Sequence, residues 1–442
     1  MSTMAAPPPA TATRRAARTL PRVWIATSYN ESSILNLARA AQEAGRLAGL
    51  FTPEQPSANV RRALDAPPLK GGHVEALVRR RARAVAEFPA DRVRPTLFVG
   101  NLTRVAIWMA GLRSPLPDGA LTYAFDRAVA RAIRCEGRPG DVLVGMHCSS
   151  EASFRAARAR GVLTVYNHVN CDMRALNGRM RAAAERLGIA ASGLWPEWLL
   201  RRVDREVALA DYIFSSSSWL RDDLIARGSP PSMVHVLPDG VDLGRFAPEA
   251  LAASRPACTG REALRPLRVV SVGVVSLGKG LQDLDAAIAR CGPEVVTRCE
   301  ALGGVVDREL VRRTPLIRYR GLLHHEEVAR ALRAADVFVL PSLGDTMPRV
   351  VMEALATGLP VITTNVSGCE HIIAHGENGY IVPWGDPDAL AAVLRFLAAS
   401  PARRRAVGAA ARRTAEAWTW ARHGAGFMDW LGTLPVSGRF VD

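Results

Sequence analysis

The stretch from residue 336 to residue 363 constrains the fold more than any other part of this sequence. It opens with Asp336 to Leu340, a short apolar run rich in β-branched residues, which is typical of a buried parallel strand. A loop containing proline and glycine follows, and then a helix that is predicted from Pro348 to about Thr357. Residues 360–363 begin the next strand. The order strand, helix, strand predicts an α/β fold with a parallel sheet.

Two acidic residues lie in this stretch, with seven residues between them. Asp345 is in the loop before the predicted helix, and Glu353 is about one and a half turns inside it. At this spacing the two acids can hold different parts of one ligand that lies over the start of the helix. The free N–H groups and the dipole at that start favour a phosphate. The alternative is an ordinary αβ unit whose acids only cap and solvate the helix.

The same stretch resembles the retaining glycosyltransferases of family 4. Their motif is an acid, seven residues, then Glu-Ala and Gly-x-Pro-Val, and it corresponds here to Asp345, Glu353-Ala354, Gly358 and Pro360-Val361. The resemblance implies that Asp345 binds hydroxyls of the donor sugar and that Glu353 binds the nucleotide ribose. It also implies a GT-B fold, in which two Rossmann-like domains with parallel sheets face each other across a cleft.

The chain departs from the family pattern around the first acid. The family usually has Glu there, followed by Gly-Phe-Gly, whereas this chain has Asp345 followed by Thr346, Met347 and Pro348. Because the aspartate is one methylene shorter than glutamate, the identity of the donor sugar stays open. The reaction class is less affected.

A second loop, Ser276 to Gly280, follows the strand predicted from Leu267 to Val275. Gly273 and Gly278-Lys279 fit part of a P-loop, but that motif needs Ser or Thr after the lysine, and Gly280 has no hydroxyl. The diphosphate loop of family 4, a glycine followed six residues later by Lys-Gly, fits better. It implies that Lys279 contacts the diphosphate of the donor.

The composition gives Lys279 added weight. Only two of the 57 Lys and Arg residues are lysines, Lys70 and Lys279. A lysine in so arginine-rich a chain indicates a place where a compact charge is needed against a phosphate. The family usually has Arg where this chain has Val274, so another arginine is expected to supply the second cation.

Further donor contacts are implied by the resemblance. Arg320-Gly321-Leu322 corresponds to the turn that binds the nucleotide base through backbone groups. His324 and His325 are predicted to start a helix rather than to bind a ligand. The other expected donor-binding residues flank the two loops and are Gly278, Gly280, Ser342, Thr346, Met347 and Pro348.

Strands and helices also alternate in the first half of the chain. Strands are predicted over 23–26, 96–99, 141–145, 162–166, 212–215 and 234–237. Ligands collect at the carboxyl ends of parallel strands, and His168 lies just after one of them. The resemblance implies that His168 joins Lys279 and Asp345 in the catalytic set. His147 and Asp172 remain alternatives, and a purely structural histidine remains the simpler interpretation.

These patterns predict two domains. Residues 21–245 form the acceptor-side domain, and residues 246–414 form the nucleotide-sugar domain. Residues 1–20, rich in Ala, Pro and Arg, are predicted to be a disordered tail, and the tryptophan-rich end, 415–442, is expected to pack back onto the first domain. The segment 211–246 resembles the family strongly, although Asp239 stands where the family usually has Asn.

The composition limits the partners and the cellular location that can be expected for this chain. The net charge is +15 and the sequence pI about 10.4. No aromatic interleaving or nucleic-acid motif accompanies the arginine runs, so solvated helix faces are favoured over a nucleic-acid partner. Attraction to an anionic membrane surface stays open. Seven scattered cysteines, no secretory signal and no apolar run of about 18 residues predict a cytoplasmic protein.

The sequence therefore predicts a metal-independent, retaining glycosyltransferase. Its donor would be a UDP- or GDP-sugar and its acceptor a glycan, a lipid-linked molecule or a small molecule, with no cofactor besides the donor. Three alternatives remain open, namely a nucleotide-sugar epimerase of the same architecture, a non-catalytic nucleotide-sugar-binding scaffold and a basic nucleic-acid binder. The acceptor contacts are expected within residues 50–130.

Overall fold

A computed structural model describes residues 20–28, 32–53, 85–96, 115–248 and 265–434. Within these ranges the chain forms two separate parallel sheets with helices packed on their faces. The tail predicted over 1–20 lies outside the described residues except for its last position. Most of the expected acceptor region, and much of the stretch between the two sheets, lie outside them as well.

The first sheet has seven strands, all parallel, in the order β3-β2-β1-β4-β5-β6-β7. The strands are β1 (Val23–Ala26), β2 (Leu47–Thr52), β3 (Val93–Pro95), β4 (Val142–Met146), β5 (Leu163–His168), β6 (Tyr212–Ser215) and β7 (Val234–Val236). The strands are buried on both faces, which is why their sequences read as continuous apolar runs.

The second sheet has six strands, also all parallel, in the order β10-β9-β8-β11-β12-β13. They are β8 (Leu267–Val272), β9 (Val296–Leu302), β10 (Arg318–Tyr319), β11 (Val337–Leu340), β12 (Val361–Thr364) and β13 (Gly379–Val382). Each sheet thus has one place where neighbouring strands are not joined in sequence, β1 beside β4 and β8 beside β11. Ligands bind in α/β proteins where the loops part at such a switch point.

Helices connect most of the strands. In chain order they are α1 (Ser32–Glu43), α2 (Pro115–Glu136), α3 (Glu151–Ala159), α4 (Met173–Leu187), α5 (Glu197–Leu209), α6 (Ser218–Ala226), α7 (Leu281–Cys291), α8 (Arg308–Arg313), α9 (His325–Ala334), α10 (Arg349–Ala356), α11 (Pro387–Ala399), α12 (Pro401–Glu416) and α13 (Trp420–Thr433). Short 3-10 turns precede β7, at Pro231–Met233, and link β8 to α7, at Leu277–Lys279.

The last helix, α13, follows the second sheet in the sequence but packs on the first. Phe427 and Trp430 join the apolar core of β1, β4 and β5, and the ring of Trp430 lies 4.7 Å from that of Phe214. The chain therefore crosses between the two halves twice, once after β7 and once before α13. The two crossings touch, because Val241 and Thr419 form an isolated parallel bridge.

Helix α4 also packs on the half of the molecule to which it does not belong in the sequence. It belongs to the first half of the sequence, yet its apolar face, which includes Leu176 and Met180, is part of the core of the second half together with Leu277 and Leu343. Gly278 lies at this contact, where a Cβ would be at an ordinary van der Waals distance, 3.6 Å, from the sulfur of Met180. The two halves are therefore joined by apolar packing as well as by the chain.

Several predicted boundaries differ from the structure. Strands β2, β3 and β9 were not predicted. Of the strand expected at 96–99, Thr96 lies directly after β3, and residues 97–99 lie outside the described ranges. Helix α1 ends at Glu43 because Gly45, in the left-handed conformation, turns the chain into β2. Pro348 is the cap residue before α10 rather than its first residue.

No helix within the described ranges is both long enough and apolar enough to cross a membrane.

Asp336 anchors the start of β11, the strand that leads to the predicted acidic loop. Its carboxylate accepts a hydrogen bond from the Arg268 N–H at 2.9 Å and one from the Arg265 guanidinium at 2.8 Å. Burial by itself raises the pKa of Asp336, but the hydrogen bonds from Arg265 and Arg268 outweigh it and lower the pKa to about 2.

We expect Asp336→Asn to lower the free energy of unfolding near neutral pH by about 2 kcal/mol, because the folded state holds the ionised carboxylate more tightly than the unfolded chain does. Since the pKa of the folded state is the lower one, this contribution is present above pH ~4 and is lost as the pH falls towards 2. Urea unfolding of both proteins at neutral and acidic pH measures it. The two stabilities should converge in acid, and a constant difference would contradict the assignment.

The matched control is Asp388→Asn, which removes an exposed ion pair with Arg290. Such a pair contributes about 0–1 kcal/mol, so the control should differ little from the parent protein.

Candidate functional site

The site is built where two loops meet at the switch point of the second sheet. One loop, residues 273–280, follows β8, and the other, residues 341–348, follows β11. The Leu343 N–H and the Ser342 hydroxyl both donate to the carbonyl oxygen of Gly278, at 2.9 and 3.1 Å. Gly280 has a φ of +71°, and a Cβ on it would lie 1.7 Å from the Pro341 oxygen. Only glycine allows the two backbones to come this close.

This approach brings together two of the residues predicted to be catalytic. The Lys279 ammonium donates to the Asp345 carboxylate with an N–O distance of 2.5 Å, and both side chains remain partly exposed. The other Asp345 oxygen accepts from the Thr346 N–H at 3.1 Å, and the Ser342 hydroxyl lies 3.5 Å from the first. The aliphatic part of Lys279 runs over Gly273, where a Cβ would lie 3.8 Å from Lys279 Cε.

The second acid, Glu353, lies on α10, the helix that starts just after this loop. Its carboxylate makes no hydrogen bond or ion pair with any other residue that the structure describes. Burial raises the pKa of Glu353, and the nearby guanidinium groups of Arg349 and Arg245 act against this rise. A half-buried carboxylate without a protein partner is suited to accept hydrogen bonds from the hydroxyls of a ligand.

The backbone at the start of α10 is strained. Met347 has a φ of +59°, in the left-handed region that β-branched and large side chains rarely adopt. Its N–H donates to the Ser367 oxygen at 3.0 Å, and the Asp345 N–H donates to Val366 at 3.0 Å, so the segment after β12 holds the turn in place. Pro348 then caps α10 without a side-chain bond, which leaves the first N–H groups of the helix for a ligand.

The predicted base-binding turn, Arg320 to Leu322, lies at the end of β10. Gly321 has a φ of +71°, and its carbonyl accepts from the Gly303 N–H at 2.8 Å. Arg320 is paired with Glu300 at 3.1 Å, while Leu322 is 84% exposed. An apolar side chain this exposed at the edge of the site can pack against a flat ring. His324 is the N-cap of α9 and His325 its first residue, as expected from the sequence. The His324 N–H donates to the Glu327 carboxylate at 3.0 Å, as in a capping box.

The first half of the chain contacts the acidic loop directly. The Thr346 hydroxyl donates to the Val169 oxygen at 2.7 Å, and the Ser216 hydroxyl donates to the Thr346 oxygen at 2.9 Å. The Arg179 guanidinium on α4 also donates to the carbonyl of Leu343. The site therefore lies between the two sheets, at the carboxyl ends of their central strands.

The predicted catalytic histidine lies at this junction but is buried. His168 ends β5, directly before Val169, and is only 3% exposed, with its ring edge-on to Tyr166. Burial lowers the pKa of His168 to about 3, so the ring is neutral at physiological pH, and its Nδ1 has no hydrogen-bond partner among the described residues. His147 is also buried, beside Trp195, and Asp172 caps α4 by accepting from the N–H groups of Arg174 and Ala175.

A buried charge network that the sequence did not reveal supports the end of β4. Arg202 donates to Glu206 and to Asp126, at 3.1 and 2.9 Å, and all three side chains are fully buried. Glu206 in turn accepts from the N–H groups of Cys148 and Ser150, at 2.6 and 2.8 Å. These bonds hold Cys148 at a φ of +64°, which is a second strained turn at the carboxyl edge of a sheet.

The position that usually carries arginine in the family is exposed here. Val274 follows Gly273 at the tip of the loop after β8 and is 48% exposed. In the described ranges, no three His, Cys, Asp or Glu side chains lie close enough to hold a metal ion.

Comparisons with known proteins agree on one family. A model of the family described as "Glycosyl transferases group 1" matches residues 266–400. The D-inositol 3-phosphate glycosyltransferase of Xylanimonas cellulosilytica is 30% identical over 384 residues, which cover 81% of this chain and 87% of that protein. The α-maltose-1-phosphate synthase of Mycolicibacterium smegmatis is 30% identical over 49% of this chain and 61% of its own length.

Solved structures agree on the fold. HepE of Anabaena, crystallised in complex with UDP, superposes with a TM-score of 0.61 at 14% identity and covers 94% of this chain and all of its own. Sucrose-phosphate synthase of Thermosynechococcus elongatus superposes with a TM-score of 0.62 at 18% identity, over 93% of this chain and 98% of its own. Both sheets of this chain thus have the GT-B arrangement.

The close approach at Gly280 predicts a large effect of one methyl group. We expect Gly280→Ala to lower the free energy of unfolding by more than about 3 kcal/mol, since the new Cβ collides with the Pro341 oxygen and the φ is unfavourable as well. The control is Gly228→Ala, where φ is +100° but no atom lies within 4 Å, so only the backbone strain of about 1–2 kcal/mol applies. Chemical unfolding measures both, and equal losses would show that the loop contact has no special role.

Proposed function

Because this chain belongs to the glycosyl transferases group 1 family, and so is a glycosyltransferase of GT-B type, we propose that it transfers a hexose from a UDP- or GDP-sugar to a hydroxyl acceptor with retention of configuration. The observation that carries this proposal is the 2.5 Å contact between Lys279 and Asp345 at the switch point of the second sheet. It sets one cation and one carboxylate at the start of α10, with Glu353 on the same helix.

The three side chains divide the donor between them. Glu353 accepts hydrogen bonds from the ribose hydroxyls, and Asp345 accepts them from the sugar. Lys279 faces the diphosphate together with the free N–H groups at the start of α10. The exposed turn around Gly321 and Leu322 contacts the base.

The chemistry follows from where charge develops. As the bond between the sugar C1 and the diphosphate oxygen breaks, its electron pair stays on that oxygen. Lys279 and the helix N–H groups stabilise this growing negative charge more than they stabilise the intact donor. The acceptor hydroxyl attacks C1 from the face that the diphosphate leaves, and its proton passes to the departing phosphate oxygen. Retention then requires no covalent intermediate on the protein.

We propose that Arg349 acts in place of the family arginine that Val274 replaces. It is the first residue of α10 and lies four residues before Glu353, so both side chains share one face of the helix. Its guanidinium makes no hydrogen bond or ion pair with another residue within the described ranges. An unpaired cation at a helix start strengthens the attraction of that start for an anion.

We propose a phosphorylated small molecule as the acceptor. Two of the relatives reported above carry phosphorylated small molecules in their names. A phosphorylated acceptor also suits a chain with a net charge of +15. Sugar phosphates and inositol phosphates are therefore the first acceptors to test, ahead of lipid-linked ones.

The direct test is product analysis. The protein is incubated with UDP-glucose, UDP-galactose or GDP-mannose and a panel of phosphorylated acceptors, and the anomeric configuration of any new glycoside is read by NMR. Retention of the donor configuration is expected. Inversion would overturn the proposed mechanism, a change of the sugar without an acceptor would indicate an epimerase, and no binding of any nucleotide sugar by calorimetry would indicate a scaffold.

Lys279 provides the sharpest single-residue prediction. We expect Lys279→Ala to lower turnover at least ~100-fold, since it removes a fixed positive charge from the place where negative charge grows, a loss of about 3 kcal/mol. The stability should change little, because Lys279 is partly exposed. The control is Arg312→Ala, which removes an exposed charge paired with Glu309 on α8. Full activity of Lys279→Ala would remove this residue from the mechanism.

Glu353 predicts how nucleotide binding depends on pH. Only the ionised carboxylate accepts hydrogen bonds through both oxygens, and burial raises the pKa of Glu353 above its ordinary value. The affinity for UDP or GDP should therefore fall as the pH drops towards that raised pKa, from mildly acidic conditions downward. In Glu353→Gln the affinity should be about tenfold lower near neutral pH, the effect of losing one charged hydrogen bond, and should fall less steeply in acid, where protonation of the nucleotide's own terminal phosphate, with a pKa of about 6, still contributes. Calorimetric titrations at several pH values provide the measurement, and an unchanged pH dependence in the variant would exclude Glu353.

A further inference from the structure

We propose that Thr346 is a positioning residue that holds the donor acid Asp345 against the first half of the molecule, so that this acid is aligned for transfer only when the two halves are closed. This inference rests on the proposed function for the role of Asp345. The contacts that carry it do not depend on that role, because they are bonds between the two halves.

Thr346 is fixed from three directions. Its hydroxyl donates to Val169 at the end of β5, and its carbonyl accepts from Ser216 at the end of β6, at 2.7 and 2.9 Å. Its N–H donates to the carboxylate of Asp345 at 3.1 Å. Thr346 is 6% exposed, so these bonds are shielded from water. One residue thus ties the donor acid to two strand ends of the other half.

The backbone next to Thr346 is strained and closely packed, so it depends on its surroundings to keep its conformation. Met347 is in the left-handed region at a φ of +59°, and a Cβ on Gly368 would lie 2.9 Å from the Met347 nitrogen and 3.3 Å from the hydroxyl of Ser217. The turn is therefore packed between the segment after β12 and the loop after β6. A conformation that is strained by itself persists only when its surroundings hold it. Contacts from the first half are part of those surroundings.

Apolar packing of helix α4 also holds the acidic loop against the first half. Helix α4 begins four residues after Val169 and seats Leu176 and Met180 in the core of the second half. Its Arg179 bonds the carbonyl of Leu343, two residues before Asp345. The segment from Val169 to Met180 therefore covers the acidic loop. Its first residue, Val169, accepts the hydrogen bond from the Thr346 hydroxyl. Opening the halves at this point separates Asp345 from its support.

This chain has Thr346, Met347 and Pro348 where the family usually has Gly-Phe-Gly, so its side chain at position 346 departs from the usual family pattern. The backbone of Thr346 lies in the predicted donor loop, but its side chain points to the first half. Its contribution should therefore appear in the transfer step, while binding of the nucleotide alone, through Glu353 and the turn at Gly321, should not depend on it.

The test compares Thr346→Val with Thr346→Ser, which keeps the hydroxyl. We expect Thr346→Val to lower kcat about tenfold while the Kd for UDP changes less than twofold, since valine leaves the Val169 oxygen without its donor. Thr346→Ser should recover most of the activity. Small-angle scattering in the presence of UDP should show a larger radius of gyration for Thr346→Val than for the parent protein.

The control is Thr357→Val. Thr357 is also 6% exposed, and its hydroxyl donates to a backbone carbonyl, that of Glu353, at the same distance of 2.7 Å. This bond lies inside one helix of the second half, so its loss should leave the radius of gyration unchanged. The comparison separates the loss of a buried threonine bond in general from the loss of a bond between the halves.

Each outcome decides the inference. Unchanged kcat and scattering in Thr346→Val would overturn it, and so would equal losses in kcat and UDP affinity, which would make Thr346 part of the donor pocket only. If the protein transferred no sugar at all, the proposed function would fail, whereas the scattering arm would still test the tie between the halves. A Thr346→Val protein that fails to fold is replaced by Ser216→Ala, which removes the second bond and should give the same direction of change.

Discussion

The contact between the loop after β8 and the loop after β11 is the constraint on which the candidate site depends. Two backbones approach within hydrogen-bonding distance of Gly278, and the absence of a side chain at Gly280 makes this possible. Lys279 and Asp345 belong to different βα units, and only this approach turns them into a pair. The sheet order places β8 beside β11, so the pairing of charges is a consequence of the strand order.

The sequence predicted what local patterns encode. The strand, loop and helix around Asp345 and Glu353 are short and strongly patterned, and they were placed within about one residue of their observed positions. Strand β9 was missed because Arg298 and Glu300 interrupt its apolar residues. The docking of α4 on the opposite half could not be predicted, because an amphipathic pattern identifies a buried face but not its partner. The same holds for Arg202, whose two acidic partners lie on different helices.

Both halves store strain at the edge that faces the other half. Cys148 and Met347 are the non-glycine residues with positive φ in the described ranges, and each follows a central strand. Cys148 is held by the buried carboxylate of Glu206, and Met347 by the backbone of Ser367. The two supports differ. Cys148 is held by a network of buried charged side chains in the first half, whereas Met347 is held by backbone hydrogen bonds in the second half. In each case the sheet supplies a rigid base against which an unfavourable turn is fixed.

The double crossing of the chain between the halves has a mechanical consequence. The two crossings lie side by side, with Val241 paired to Thr419, and a Cβ on Gly240 would lie 2.3 Å from the nitrogen of Trp420. Two adjacent covalent tethers resist twisting and sliding of one half against the other far more than a single tether would. The two tethers offer less resistance to bending of the halves about the line that joins the two crossings. Bending about this line is therefore the relative displacement of the two halves that the paired crossings oppose least.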